Sequence, residues 1–143
     1  MARVIRSSHP VAAPASIAHA VLTDVTAWKL WSPHVQRVEA PSQVIEAAGW
    51  TALVKPWFGP TTVMEVTWCE PGRGIRWTSA AAGHRLDYAD LIEPDSEGRC
   101  TVTMTAQVSG PVGPLSAYGQ RRRLTRLAAL AEFLHRRAIV YAT

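Results

Sequence analysis

The residues best suited to acid–base chemistry are concentrated in the segment 84–92, which reads HRLDYADLI. Its alternation of polar and apolar residues predicts a β-strand, and side chains two residues apart in a strand project from the same face. We therefore expect Tyr88 to face the protein interior, with His84 and Asp90 near the two ends of that face. Burial would raise the pKa of an isolated Asp and lower that of a His, which suits them to roles as acid and base. Alternatively, Asp90 pairs with an Arg and His84 is solvated.

Large apolar side chains predict a flat binding surface beside these polar groups. The chain has 6 Trp among 143 residues, and Trp31 follows Trp28 by three residues on a predicted short helix, so the two share a face. An aromatic wall suits a planar ligand, although the same rings would also fill an ordinary core. In the strands, period-2 geometry assigns Trp68 to the same face as Met64. The predicted ligand-contacting residues are Trp31, His34, Met64, Trp68, Trp77, Leu86, Met104 and Tyr118.

Four basic residues, Arg121, Arg122, Arg123 and Arg126, lie near the start of the last predicted helix. They could contact an acidic or phosphorylated ligand, such as the prosthetic group of an acyl carrier, or they could form the solvent-exposed face of the helix. An acyl carrier or another acidic protein is therefore a candidate partner. The sequence does not specify an oligomeric state.

The composition argues against several classes of protein. The net charge is +4 and 48% of the residues are apolar, which is typical of one folded domain rather than a disordered segment. No stretch approaches the ~20 apolar residues of a membrane span, and the first residues do not read as a signal peptide. Cys69 and Cys100 form no CxxC motif, so a cytoplasmic location is expected.

Motifs for several chemistries are missing from the sequence. There is no phosphate-binding loop, no nucleophile elbow and no zinc-protease motif. The five histidines lack the spacing of metal ligands, and no nucleic-acid-binding module is recognisable. We therefore expect no cofactor, no metal ion and no nucleic-acid partner.

The order of predicted elements favours an α+β fold. A first strand at 3–9 precedes a short helix starting near Pro14 and a second one capped by Asp24. Because an antiparallel sheet with one buried face needs a cover, the long amphipathic helix that ends near residue 141 is expected to pack on it. The remaining strands are predicted at 35–47 (one bent strand interrupted at Pro41), 50–57, 61–68, 74–79, 84–92 and 99–108.

Three segments carry a resemblance to a known family. Residues 24–34, DVTAWKLWSPH, resemble the D-v-x-x-W-x-x-W-x-P pattern of bacterial START-like proteins. Residues 92–103 are similar to the L-x-P-x-x-x-G-x-x-v-T hairpin of that family, and Gly110-Pro111 before an Arg-rich helix is similar to its closing element. The chain thus resembles, over nearly its whole length, the START-like (SRPBCC) superfamily of polyketide cyclases/dehydrases and lipid-transport proteins.

This resemblance implies a helix-grip fold, with residues 1–143 forming a single START-like ligand-binding domain. Such a domain has a curved antiparallel sheet of about seven strands, two short helices after strand 1 and a long C-terminal helix over the concave face. The fold alone does not identify the function, because the superfamily has many.

The leading functional expectation is binding of a small hydrophobic or aromatic molecule between the sheet and the C-terminal helix. The alternative is a polyketide cyclase/aromatase or dehydratase, in which Tyr88, Asp90 and His84 would supply the acid–base chemistry of enolisation and water loss. Further alternatives are a sequestration or self-resistance protein and a partner-binding protein that uses the basic helix.

Overall fold

The computed structural model describes residues 2–81, 84–96, 98–109 and 113–142. Within these ranges the chain forms seven strands and three α-helices, and a short 3₁₀ turn precedes the second helix. In chain order the elements are β1 (Ala2–Val11), α1 (Ala15–Thr23), the 3₁₀ turn (Val25–Ala27), α2 (Trp28–Trp31), β2 (Val35–Glu39), β3 (Thr51–Pro56), β4 (Thr62–Glu70), β5 (Gly74–Ala81), β6 (His84–Ser96), β7 (Arg99–Ser109) and α3 (Gly113–Ala142).

The seven strands form one curved antiparallel sheet in the order β1-β7-β6-β5-β4-β3-β2. β1 and β2 therefore occupy opposite edges, although they are separated in the chain only by the two short helices. These helices must cross the width of the sheet to connect its edges. The predicted helix-grip arrangement, with a long C-terminal helix, is confirmed.

The turn between the short helices is held by the side chain of Asp24. Its Oδ1 accepts a hydrogen bond from the Thr26 backbone N–H at 3.0 Å and another from the Thr26 hydroxyl at 2.6 Å. This is the predicted capping role, in which a carboxylate satisfies a backbone donor that the helix leaves unpaired. The indole Nε1 of Trp28 donates to the backbone carbonyl oxygen of Leu22 at 2.8 Å, which links α2 to α1.

Strand boundaries near several prolines differ from the sequence-based prediction; β6, for example, runs through Pro94 to Ser96 instead of ending near residue 92. The bent strand predicted over 35–47 is wrong: β2 ends at Glu39, and Val44 forms only an isolated bridge with Asp24. Pro41 lies two residues beyond Glu39 and cannot donate a ladder hydrogen bond. By contrast, β1 continues through Pro10, which is tolerated because β1 is an edge strand.

α3 covers the sheet with one apolar stripe. Its buried residues recur at steps of three and four, as expected for a helix face that packs on a core. α3 packs mainly against β1 and also contacts α1 and α2. The buried residues of this stripe are Gln120, Leu124, Leu127, Ala128 and Ala131. Within the described residues, no helix has both the length and the apolar content to cross a membrane.

Truncating the buried stripe of α3 is expected to destabilise the fold. Leu127 is fully buried, so Leu127→Ala should lower the free energy of unfolding by about 2–5 kcal/mol through lost contacts and a residual cavity. Urea unfolding followed by far-UV circular dichroism measures this loss. The matched control is Leu134→Ala on the same helix, where the side chain is 41% exposed and the loss should be about 0.5–1 kcal/mol. Equal losses would show that α3 does not pack through this stripe.

Candidate functional site

A cavity of about 290 Å³ lies between the sheet and the helices α2 and α3. This volume is at the lower end of the range for small-molecule sites, which is roughly 300–1,000 Å³. Strands β2 to β6 contribute one side of the lining, and α2, the loop after it and α3 contribute the other. The lining residues are Trp28, Trp31, Ser32, His34, Val35, Val54, Pro56, Pro60, Thr62, Trp77, Ser79, Leu86, Tyr88, Asp90 and Arg123.

Three rings form a continuous aromatic wall, the name used here for Trp28, Trp77 and Tyr88. The rings of Trp77 and Tyr88 are stacked, with centroids 4.0 Å apart and planes 13° from parallel. These residues are direct partners in the β5–β6 pairing, so the strand register brings the rings together. The Trp28 ring lies 6.4 Å from that of Trp77, and Trp31 meets Trp28 edge-on at 6.0 Å. The wall gives the cavity an aromatic, mainly apolar surface.

Asp90 is the buried acidic group of the cavity. It is 2% exposed, and its Oδ2 accepts a hydrogen bond from the indole Nε1 of Trp77 at 2.9 Å. Burial raises the pKa of Asp90, while the positive charge of Arg123 and the Trp77 hydrogen bond act in the opposite direction. The carboxyl group therefore keeps its proton to a higher pH than an exposed Asp would.

The backbone beside Asp90 is closely packed against β5. Gly74 begins β5 with a φ of +116°, and a Cβ at this position would collide with the backbone carbonyl oxygen of Asp90. Only glycine combines this conformation with the close approach. The small residue thus lets the two strands pair tightly where the buried carboxyl group sits.

Arg123 brings a positive charge to the same cavity from α3. Its guanidinium lies 5.7 Å from the centroid of the Trp31 ring, within cation–π range. Its charge favours a lower pKa at His34, Tyr88 and Asp90, and at Tyr88 and Asp90 it partly offsets the larger upward effect of burial. Among the described residues, Arg123 forms no salt bridge.

Burial shifts the pKa values of two further groups in the lining, His34 and Tyr88. Burial lowers the pKa of His34, and the charge of Arg123 lowers it further, so the imidazole is held in its neutral form. The Nδ1 of His34 lies 3.3 Å from the hydroxyl oxygen of Ser32. Burial also raises the pKa of Tyr88, as does the nearby Asp90 charge, and these effects outweigh that of Arg123. The Tyr88 hydroxyl therefore remains a hydrogen-bond donor at neutral pH.

The structure brings six of the sequence-predicted site residues into the cavity lining. Met64 and Met104 instead lie in the buried core and are not part of the lining. His84 begins β6, but its side chain and that of Tyr118 lie outside what the structure describes. The six residues in the lining are Trp31, His34, Trp77, Leu86, Tyr88 and Asp90.

The prediction that Trp68 shares the inner face with Met64 is wrong. β4 contains a β-bulge, because its pairing with β5 passes from Val66 opposite Trp77 directly to Trp68 opposite Arg76. One extra residue reverses the alternation of side chains beyond it. Trp68 therefore lies on the opposite face of the sheet, with the Arg76 guanidinium 5.8 Å from its ring centroid, and Cys69 packs against the core.

Trp57, which is predicted within a strand, lies beyond the end of β3 and is 62% exposed. Its backbone N–H donates to the carbonyl oxygen of His34 at 3.0 Å, which joins the β3–β4 turn to the loop after α2. Pro56, at the end of β3, and Pro60, in this turn, line the cavity. The turn therefore forms part of the cavity rim.

Sequence reasoning missed Arg123 as a specific cavity residue. Helical spacing could have identified it, because position 123 is four residues before the buried Leu127 and three after the buried Gln120. Helical periodicity places such a residue at the margin of the buried stripe. Its neighbours Arg121 and Arg122 are exposed, in agreement with the solvent-face alternative for those two residues. Within the described part of the chain, no group of three or more His, Cys, Asp or Glu side chains could hold a metal ion.

Comparison with solved structures shows the same fold at low sequence identity. The hypothetical protein jhp0584 from Helicobacter pylori superposes with a TM-score of 0.78 and 14% identity, over 90% of this chain and 88% of that chain. Protein MLL2253 from Mesorhizobium loti gives 0.76 and 15%, over 90% and 96%. The Zhui aromatase/cyclase from Streptomyces sp. R1128 gives 0.72 and 16%, over 92% and 94%.

Comparison with curated protein sequences gives no match. A family model does match, and it covers residues 11–131, which is most of the chain. The protein therefore belongs to the family described as polyketide cyclase / dehydrase and lipid transport.

Proposed function

We propose that this protein binds a small apolar or aromatic molecule in the cavity between the sheet and the helices α2 and α3. The observation that carries the proposal is the open space beside the aromatic wall. Trp77 and Tyr88 stack on each other along the sheet and leave about 290 Å³ unfilled in front of them. An aromatic, mainly apolar surface beside a defined gap is complementary to an apolar or aromatic ligand.

The relatives support the same class of ligand. The family description names polyketide cyclases and lipid transport, and one protein with the same fold is an aromatase/cyclase. Aromatic or chain-like apolar compounds are thus the chemistry expected in this cavity. The modest volume favours a compact ligand over a long lipid chain.

A second candidate function, cyclisation or dehydration of a polyketide-like substrate, is favoured by the buried Asp90. A carboxyl group that keeps its proton can donate it to a departing hydroxyl group, which then leaves as water. Tyr88 would donate a hydrogen bond to a substrate carbonyl oxygen, and the neutral imidazole of His34 would accept a proton from the carbon next to that carbonyl. His84 remains a candidate base at the start of β6.

Binding is the leading proposal because the acid–base groups are not assembled with one another. Among the described side chains, the hydrogen bond of Asp90 goes to Trp77, and that of His34 goes to Ser32. A catalytic set would require the substrate itself to bridge these groups. Ligand binding requires only the cavity and its wall.

The first prediction concerns the location of the ligand. Titration with aromatic polyketides, flavonoids and fatty acids should quench Trp fluorescence saturably at micromolar concentrations for at least one class. Ser79 lines the cavity on β5, so Ser79→Phe should fill part of the space and weaken that binding by about tenfold or more. The matched control is Thr78→Phe, because the preceding strand residue projects from the opposite face and should leave the affinity unchanged. Equal weakening by both variants, or no quenching by any compound, would contradict the proposal.

The second prediction tests the state of Asp90. Because its pKa is raised in the folded protein, the folded state retains a proton that the unfolded chain releases, and the free energy of unfolding should fall as the pH rises from about 4 through the folded pKa. Asp90→Asn cannot ionise, and its amide oxygen can still accept the Trp77 hydrogen bond. Urea unfolding at pH 4.5 and pH 8 measures the free energy of unfolding of both proteins. Relative to the wild type, the variant should be more stable at pH 8 than at pH 4.5. Asp87→Asn, at an exposed position of the same strand, should show no such shift.

The third prediction separates catalysis from binding. If the protein is a cyclase or dehydratase, Tyr88→Phe and Asp90→Asn should change the product profile when the protein is combined with a polyketide synthase that makes its substrate. Each loss of a proton donor should reduce the rate by about 10²–10⁴-fold. Unchanged products with retained binding would eliminate the acid–base function and leave the binding function in place.

A further inference from the structure

Two buried hydrogen-bond donors on the α2 and α3 side of the cavity lack a partner among the described residues. The indole Nε1 of Trp31 and the Nε of Arg123 are both buried, and neither has a hydrogen-bond partner among the described residues. Buried polar groups are normally paired, so two unpaired donors on neighbouring lining residues are notable. An acceptor on a bound ligand would satisfy these donors.

The charges of the lining also favour a ligand that carries an acceptor group. Arg123 and Asp90 are the basic and acidic side chains of the lining, apart from His34. The hydrogen bond of Asp90 goes to Trp77, and no salt bridge joins Asp90 to Arg123 within the described residues. Because burial also holds Asp90 toward its neutral form, the positive charge of Arg123 has no paired counter-charge.

The position of Arg123 allows it to serve a ligand that lies on the aromatic wall. Its guanidinium packs over the Trp31 ring at 5.7 Å, and Trp31 contacts Trp28 of the wall edge-on. A guanidinium that stacks on a ring keeps its in-plane N–H groups for hydrogen bonds, and these match the geometry of a carboxylate. A ring on the wall and an oxyanion at Arg123 would thus occupy adjacent parts of one cavity.

We infer that the ligand is a planar aromatic molecule bearing an oxyanion, a carboxylate or a phenolate, and that Arg123 is the residue that selects for the anion. This inference rests on the proposed binding function and narrows its ligand class. Trp77 and Tyr88 receive the ring, while the guanidinium of Arg123 receives the oxyanion. A neutral amide of the same shape gains the contact with the wall and a weaker hydrogen bond, because its carbonyl oxygen carries no charge.

The experiment compares two probes of the same shape, 2-naphthoate and 2-naphthamide, by fluorescence titration or calorimetry at pH 7.5. The wild type should bind the carboxylate at least tenfold more tightly than the amide. Arg123→Met should abolish this preference, because it weakens binding of the carboxylate at least tenfold more than binding of the amide. Arg123→Lys, which keeps the charge but not the fork of donors, should retain part of the preference.

Arg122→Met is the matched control, because it removes the same charge from an exposed neighbouring position. It should keep the full preference for 2-naphthoate. Equal binding of both probes by the wild type would overturn the inference but leave the proposed binding function intact. An equal loss of preference in Arg122→Met would also overturn it, because the selectivity would then come from the general charge of α3. If neither probe binds while another aromatic compound does, the oxyanion class is wrong; if no compound binds, the proposed function itself fails.

Discussion

The hydrogen bond from the Trp77 indole to the Asp90 carboxyl group is the interaction around which the cavity is organised. It gives the Asp90 carboxyl group, which is 2% exposed, a hydrogen-bond partner on the neighbouring strand. It also holds the Trp77 ring of β5 in one orientation. A buried polar group is costly without such a partner. With the indole held, the Tyr88 ring can stack on it at 4.0 Å. One polar contact between adjacent strands therefore orients a mainly apolar surface.

The location of the cavity follows from how the sheet is covered. α3 packs mainly against β1 at one edge of the sheet, whereas the strands that line the cavity run from β2 to β6 toward the other edge. The segment carrying α1 and α2 crosses between these edges because β1 and β2 are far apart in the sheet. α2 thus closes the space that α3 leaves open, and the tight Asp24 cap and the Trp28–Leu22 hydrogen bond set its position. The connection between the two edges of the sheet thus determines which side chains line the cavity.

Much of this arrangement is predictable from local patterns, and the exceptions have physical causes. The alternation in 84–92 places Leu86, Tyr88 and Asp90 on one face correctly because β6 pairs regularly with β5 over that stretch. The same rule fails for Trp68, because a bulge depends on pairing with a second strand and leaves no local mark in β4.

Other residues of the site needed three-dimensional information. Met64 and Met104 share the inner face of the sheet, but neighbouring side chains cover them, so strand parity alone cannot separate lining from core. Arg123 sits at the margin of a helical stripe, where a long side chain can point to solvent or inward depending on what lies opposite. The fold class depends on element order, which the sequence carries strongly, whereas the lining depends on contacts between elements distant in the chain.

The stacked rings also have a consequence for how the cavity could vary in size among related proteins. Trp77 donates a hydrogen bond to the carboxyl group of Asp90 and contacts the rings of Tyr88 and Trp28, so none of these side chains can rotate away without disturbing its neighbours. The sheet side is consequently a rigid template. A related protein could accommodate a longer or broader ligand by changing the opposite rim. There, Pro56 and Pro60 flank an exposed turn whose length can change without disrupting the sheet.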